Sequence, residues 1–433
     1  MKPKLAEAIV GFLSFSGEAC DWVLQLGQFG ERDWDRTLGW LDDTGLALYF
    51  RQKLRDTAVV SVVPARVLSG LEKRFAANQK RVAHMARQFE FLNAKFDDAG
   101  VRFAVVKGLS LVPQFCPNAN LRHQGDFDYL IDNESLSRAQ SVLGNAGYAL
   151  KSSYSSPEFT YLMPSMGEPP ANEAQYEVQA PYAVELHLDI WDSNKYRVSL
   201  PRPLFLMDNA RMHQWDRFSF PVLPDEDAFL VQVLHACHHL FDYWIRMSSL
   251  LEIGYFLNWR ASDMSLWSGI EQRVGESTAL REFIVVVTEL VAKLFAAPIP
   301  PTVRVWGQKI RPASRVWIEN YARDWVFGEV PIYQFRLFPR AKLVLFLQQQ
   351  YIDDASTQRD FARRRLLVST RLSRIARTIR DEPFTVLNAG WWKRQRLVRR
   401  AIFHTLAGFR YLCEIPRWRW LNRGKIQPAA LGT

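Results

Sequence analysis

Apolar residues recur at helical spacing through Leu71–Asp98, at Phe75, Val82, Met85, Phe89, Phe91, Leu92 and Phe96, and the run stops at Gly100. This pattern predicts a long amphipathic helix closed by a glycine C-cap. Residues 1–99 as a whole read as helical. The period then changes. Val101-Arg-Phe-Ala-Val-Val and Asp126-Phe-Asp-Tyr-Leu-Ile are short β-rich runs that predict strands. Between Ser135 and Asn145 an amphipathic helix is predicted, stopping near Gly147. The stretch from Ser155 to Ala174, with several Gly and Pro residues, predicts a long turn-rich segment able to cover a site. Strand character returns at Tyr176-Glu-Val-Gln and, beyond Pro181, at Ala183–Trp191. From Asp225 the pattern is helical almost to the end, broken by prolines between 298 and 312 and by Pro331, Pro339, Pro383 and Pro416. The predicted plan is therefore α+β: a small mixed sheet in residues 100–223, flanked by a helical region 1–99, a helical domain 224–354 and a helical tail 355–433.

Composition narrows this plan. A chain of 433 residues, 48% hydrophobic and 23% charged, exceeds one ordinary core and excludes general disorder. Cys20, Cys116, Cys237 and Cys413 lie too far apart for a CxxC motif or a dense disulfide framework, so a reducing, cytoplasmic setting is expected. Glu7 before a short apolar stretch makes a poor signal peptide. The apolar run Phe283–Ala297 contains Glu289 and Lys293, so no membrane-spanning helix is predicted.

Charge is unevenly placed. Residues 355–433 hold 16 Arg and 2 Lys against 2 Asp and 2 Glu, a net +14, so residues 1–354 sum to −4 within the total of +10. The acidic body argues against a long nucleic-acid ligand.

Alternation along a strand puts Asp126 and Asp128 on one face, and Glu185, His187 and Asp189 on one face of the later strand. Neighbouring carboxylates repel unless a positive charge lies between them, and a hard divalent cation bound by carboxylate oxygens meets that need. Lys107-Gly108 ends the first strand, and Arg122 precedes the acid pair. A glycine lets phosphate approach the backbone, and the two cations can neutralise it. Such parts suit phosphoryl or nucleotidyl transfer.

Phe103-Ala-Val-Val-Lys-Gly-Leu-Ser-Leu, Leu121-Arg-His-Gln-Gly-Asp-Phe-Asp-Tyr-Leu-Ile, the helix ending at Gly147-Tyr148, and Val184-Glu-Leu-His together resemble the uncharacterised nucleotidyltransferase family of the polymerase-β-like superfamily. The helix with His235 and His239 and the apolar stretch Met247–Leu257 resemble that family's helical region. The resemblance implies that Asp126 and Asp128 ligate two Mg²⁺ ions, with Glu185 as third carboxylate on the metal that activates the acceptor hydroxyl. It implies that Gly108 lies under the triphosphate of an NTP, with Lys107 and Arg122 as charge partners and Ser110 near phosphate. In the wider superfamily Ser follows the Gly directly, whereas here Leu109 intervenes. His187 is expected to orient Glu185 or touch phosphate, and Asp189 to be structural. The implied reaction is Mg²⁺-dependent transfer of NMP to an unidentified acceptor hydroxyl with release of pyrophosphate. The alternative is an inactive nucleotide-binding scaffold that docks to a membrane or partner through its tail.

Two further features carry candidate chemistry. His235 and His239 have the i, i+4 spacing of a zinc pair, but no Glu follows the first His, and packing or hydrogen bonding is the favoured reading for His235, His238 and His239. Within residues 356–423, Leu397, Val398, Ile402, Leu406 and Phe409 fall broadly on one helical side among arginines, with Trp391, Trp392, Trp418 and Trp420 nearby. That pattern suits a helix on an anionic membrane surface, which would make the protein peripheral on the inner face of a membrane. It equally suits packing of the stripe onto the helical domain.

Overall fold

The computed structural model describes residues 3–17, 19–155, 158–163, 172–201, 205, 207–328, 339–352, 354–366 and 391–423. Two compact units are present, one comprising residues 1–195, 199–238 and 246–308, the other residues 196–198, 239–245 and 309–433.

In the first unit, helices α1 (Pro3–Phe12), α2 (Ala19–Gly27), α3 (Thr37–Thr44) and α4 (Ala47–Asp56) precede the long α5 (Ala65–Asp98). The chain leaves α5 through Gly100, whose φ of +63° is the left-handed conformation expected of the predicted cap. A seven-stranded mixed sheet follows, with strand order β3-β4-β5-β2-β1-β7-β6. Its members are β1 (Phe103–Val105), β2 (Asp126–Ile131), β3 (Ala149–Ser155), β4 (Glu158–Leu162), β5 (Ala183–His187), β6 (Arg211–Trp215) and β7 (Phe218–Val222). Helix α6 (Leu136–Asn145) joins β2 to β3, and a single turn, α7 (Ser193–Tyr196), follows β5. Helices α8 (Asp225–Phe241), α9 (Met247–Arg260), α10 (Met264–Val274), α11 (Thr278–Phe295) and α12 (Pro301–Gly307) come next. The fold class is α+β.

The alternation seen in the sequence decides which face of the sheet is dry. Phe127, Tyr129 and Ile131 of β2 and Val184 and Leu186 of β5 enter one core with Met85, Phe89, Leu92 and Phe96 of α5. Phe89 is its aromatic centre, 5.4 Å from Phe127, 5.9 Å from Tyr129 and 5.0 Å from Phe220 between ring centroids. Burying one such ring stabilises the fold by about 3 kcal/mol. The opposite face of β2 and β5 is left to the acids.

Several expectations need correction. Tyr176–Gln179 is not a strand: a 3-10 helix (Asn172–Tyr176) leads into turns there. The reason lies in α5, where the buried Arg81 guanidinium donates to the carbonyls of Glu177, Ala180, Pro181 and Gln124. Those carbonyls are drawn out of any ladder. The later strand ends at His187 rather than Trp191 because Asp189 accepts from the Trp191 N–H and closes a turn. Part of the supposed covering segment is sheet, since β4 pairs with both β3 and β5, while residues 164–171 lie outside the described residues. The β6–β7 hairpin, absent from the predicted plan, extends the sheet through the parallel pair of β7 with β1.

The second unit contains α13 (Pro312–Asn320), α14 (Ala322–Gly328), α15 (Leu345–Gln348), α16 (Ala355–Leu366) and the 31-residue α17 (Trp391–Leu421), and buries Trp317, Trp325 and Phe346. No helix among the described residues is long and apolar enough to cross a membrane.

Arg81→Met should lower the free energy of unfolding by about 3 kcal/mol, because several buried carbonyls lose their donor at once. Urea denaturation checks this, and a loss below about 1 kcal/mol would mean that water replaces the guanidinium readily.

Candidate active site

Parallel pairing of β2 with β5 sets Asp128 directly opposite Glu185, with Leu130 opposite His187 and Asp126 opposite Ala183. Side chains of like parity share a face, so Asp126, Asp128, Glu185 and His187 all point away from the Phe89 core. Oxygen and nitrogen atoms of Asp128, Glu185 and His187 lie within 4.8 Å of one another, the only such metal-competent group among the described residues. Asp126 stands beside this trio, two residues before Asp128 on the same strand, and is half-buried.

Lys107 lies two residues past the end of β1, and β1 is the antiparallel neighbour of β2. Its ammonium reaches Asp128 Oδ1 at 2.5 Å, and His187 Nε2 lies 3.0 Å from the same oxygen. His187 Nε2 is also 3.7 Å from Glu185 Oε2. Asp128 Oδ2, though buried, has no hydrogen-bond partner. A buried carboxylate with one oxygen unpartnered, in a group with two further ligand-type side chains, is what a divalent cation would complete, so the residues present fit one.

The electrostatics follow from this crowding. Burial pushes the Asp128 carboxyl up, but Lys107 and His187 outweigh it and hold the group below the ordinary value of 3.8. Burial, then the Asp128 charge, raises Asp126. Glu185 is raised well above the usual range by burial, then by Asp128 and Asp126. Burial disfavours the Lys107 ammonium, yet the three carboxylates together raise its pKa.

The remaining predicted residues take different places. Gly108 has φ +70°, which favours glycine, and the room a Cβ would need is filled by the Gln124 amide. That amide donates to the Asp126 carbonyl at 3.0 Å. Ser110 Oγ donates to the Lys107 carbonyl at 3.1 Å. Arg122 is largely buried and its Nε meets Glu252 Oε1 of α9 at 3.2 Å, an oxygen that also accepts from Tyr49. Arg122 Nη1 has no hydrogen-bond partner. Of the histidines on α8, His238 lies 3.3 Å from the Lys195 ammonium. His239 packs edge-on against Trp244.

Two arginines near the acids carry no motif in the sequence. Arg81 acts through backbone carbonyls, as described above. Arg246, the residue preceding α9, has Nη2 3.5 Å from His123 Nδ1 and interacts electrostatically with Asp126 and Asp43. It keeps no carboxylate ion pair among the described residues. The one sequence signal was its position at the head of the apolar stretch Met247–Leu257.

A family model described as an uncharacterised nucleotidyltransferase matches residues 30–296, more than half of the chain and the whole of the sheet. No curated protein and no solved structure matches the chain.

Lys107→Met tests the charge balance without any assay of activity. A depressed carboxylate such as Asp128 contributes stability above its unfolded pKa and loses it as pH falls through the folded value. Raised carboxylates such as Asp126 and Glu185 run the other way, losing stability as pH rises. Removing the ammonium worsens both terms near neutrality. The melting temperature of the variant should therefore fall below wild type increasingly from about pH 4 to pH 8. Added Mn²⁺ or Mg²⁺ should narrow the gap, since a bound cation replaces the missing charge. A gap unaffected by pH and by metal would contradict the arrangement.

Proposed function

The chain belongs to the uncharacterised nucleotidyltransferase family, and on that premise we propose that it transfers an NMP group from an NTP to an acceptor hydroxyl in a Mg²⁺-dependent reaction. The observation that carries this reading is the gathering of ligand atoms of Asp128, Glu185 and His187 within 4.8 Å of one another, on a buried Asp128 whose Oδ2 has no hydrogen-bond partner. Asp126, Asp128 and Glu185 would hold the cation, or the two ions suggested by the family resemblance, with His187 ordering Asp128. When bound, the divalent cation supplies neutralisation of the triphosphate and of the oxygens that gain charge at the α-phosphorus.

The protein's own groups prepare the rest. Lys107 is the positive charge already at the carboxylates, so it is placed to meet phosphate oxygens entering there. Arg122 through Nη1, and Arg246, are the guanidinium donors available for the β- and γ-phosphates. Glu185 is less buried than Asp128, which sets it on the side from which an acceptor would approach. In the proposed step the acceptor oxygen bonds to the α-phosphorus, the bond to pyrophosphate breaks, and the hydroxyl proton leaves on the Glu185 side. The acceptor is unidentified.

A second reading has one observation in its favour. The Gln124 amide fills the space at Gly108 through which a phosphate would approach the backbone. If Gln124 stays there, the unit binds nucleotide without turnover and serves as a scaffold.

Incubation with each of the four labelled NTPs, Mg²⁺ or Mn²⁺ and a cell extract separates the two. The transferase reading expects a labelled product with pyrophosphate, reduced roughly 10³-fold by Asp128→Asn because that change removes a charge while keeping the shape. Wild-type turnover in Asp128→Asn would end the catalytic assignment, and nucleotide binding with no product from any extract would favour the scaffold. Arg246→Ala should raise the KM for NTP about tenfold with a smaller change in kcat, as loss of a phosphate contact does.

A further inference from the structure

Helix α17 has two opposed faces. One packs within the second unit: Ala407, Tyr411, Glu414 and Asn422 are buried, and the rings of Tyr411 and Trp418 stack on Phe346 at 4.5 Å and 4.7 Å. The Lys342 ammonium donates to the His404 carbonyl at 2.8 Å and secures the same face. On the other side Val398, Ile402, Phe409, Leu412 and Trp420 are 38% to 63% exposed. Together with exposed Pro416 they recur at intervals of three, four and seven residues, forming a single stripe along the helix.

We propose that this stripe lies on the surface of an anionic phospholipid bilayer. The charge of the helix carries the choice of partner. Glu414 is the only acid between Trp391 and Leu421, and it is turned inward and paired with Arg410 at 3.1 Å and Arg417 at 3.0 Å. The outward side therefore presents apolar groups with exposed Arg419 and, just past the helix, exposed Arg423 beside them, on a helix whose seven Arg and Lys393 against Glu414 give a net charge of +7. A continuous stripe over about 33 Å of helix, without an acid, fits an extended, negatively charged, apolar-cored surface better than a folded partner's groove. Packing inward and docking outward are thus compatible, because they use opposite faces. The inference is independent of the proposed transfer reaction.

The test is co-sedimentation of the full chain with phosphatidylcholine vesicles, alone or mixed with phosphatidylglycerol, at low and high salt. Wild type should pellet with the anionic vesicles and should be partly released by salt, as screening weakens the arginine contribution. Phe409→Ser with Leu412→Ser should weaken that binding about tenfold or more while leaving circular dichroism and melting temperature unchanged, since both side chains are exposed. Three outcomes overturn the proposal. Equal pelleting of the double variant would make the attraction purely electrostatic, as expected of a nucleic-acid-type polyanion site. Wild type that fails to pellet with anionic vesicles excludes the bilayer directly. A dimer that dissociates in the double variant would assign the stripe to a second copy of this chain.

Discussion

Three carboxylates crowded on one face of a sheet cannot remain without a counter-charge, and the architecture of the first unit answers that constraint. Asp128 and Glu185 face each other across a parallel strand pair, with Asp126 alongside. Lys107 reaches them because β1 is the other neighbour of β2, and the chain just past it stays beside Asp128 through the Val106 N–H, which donates to the Asp128 carbonyl. A buried ion pair of this kind contributes little net stability once the desolvation of both partners is counted. Its consequence is electrostatic: Lys107 and His187 hold Asp128 ionised, while its Oδ2 has no hydrogen-bond partner.

The site can be polar because the other face is not. Phe127, Tyr129, Val184 and Leu186 alternate with the acids and hold the same two strands against α5 through the Phe89 cluster. Rigid strands then fix the carboxylates more tightly than loops would. The same helix also shapes the approach to the site, since Arg81 gathers the carbonyls of Gln124, Glu177, Ala180 and Pro181. One face of α5 thus packs rings, while a single buried guanidinium organises the loop that runs into β5.

Helix α17 shows how amphipathic periodicity can be read in two ways when both sides of a helix carry apolar residues. The inward side is polar in places, with Glu414 and Asn422 buried, and the outward side carries Val398, Ile402, Phe409, Leu412 and Trp420. The sequence placed Trp418 and Trp420 in one cluster. In the structure Trp418 stacks on Phe346 while Trp420 is exposed, a separation that follows from their being about 200° apart around the helix.

The sequence by itself determined the local order: the long helix closed at Gly100, the strand bearing Asp126 and Asp128, the strand bearing Glu185 and His187, and the helical remainder. These follow from periodicity, which is a property of neighbours along the chain. It also placed the acids on one face, because strand alternation needs no tertiary information. What it could not determine was which strands would lie side by side, so the β6–β7 hairpin, the β3–β4 pair and the fall of Tyr176–Gln179 out of the sheet appeared only in the fold. The partners of the charged groups were equally hidden. Lys107 on Asp128, Arg122 on Glu252 and Arg246 beside His123 join residues far apart in sequence. Such pairings are decided by which groups burial brings together, and for a buried charge the energy of having or lacking a partner outweighs any local preference.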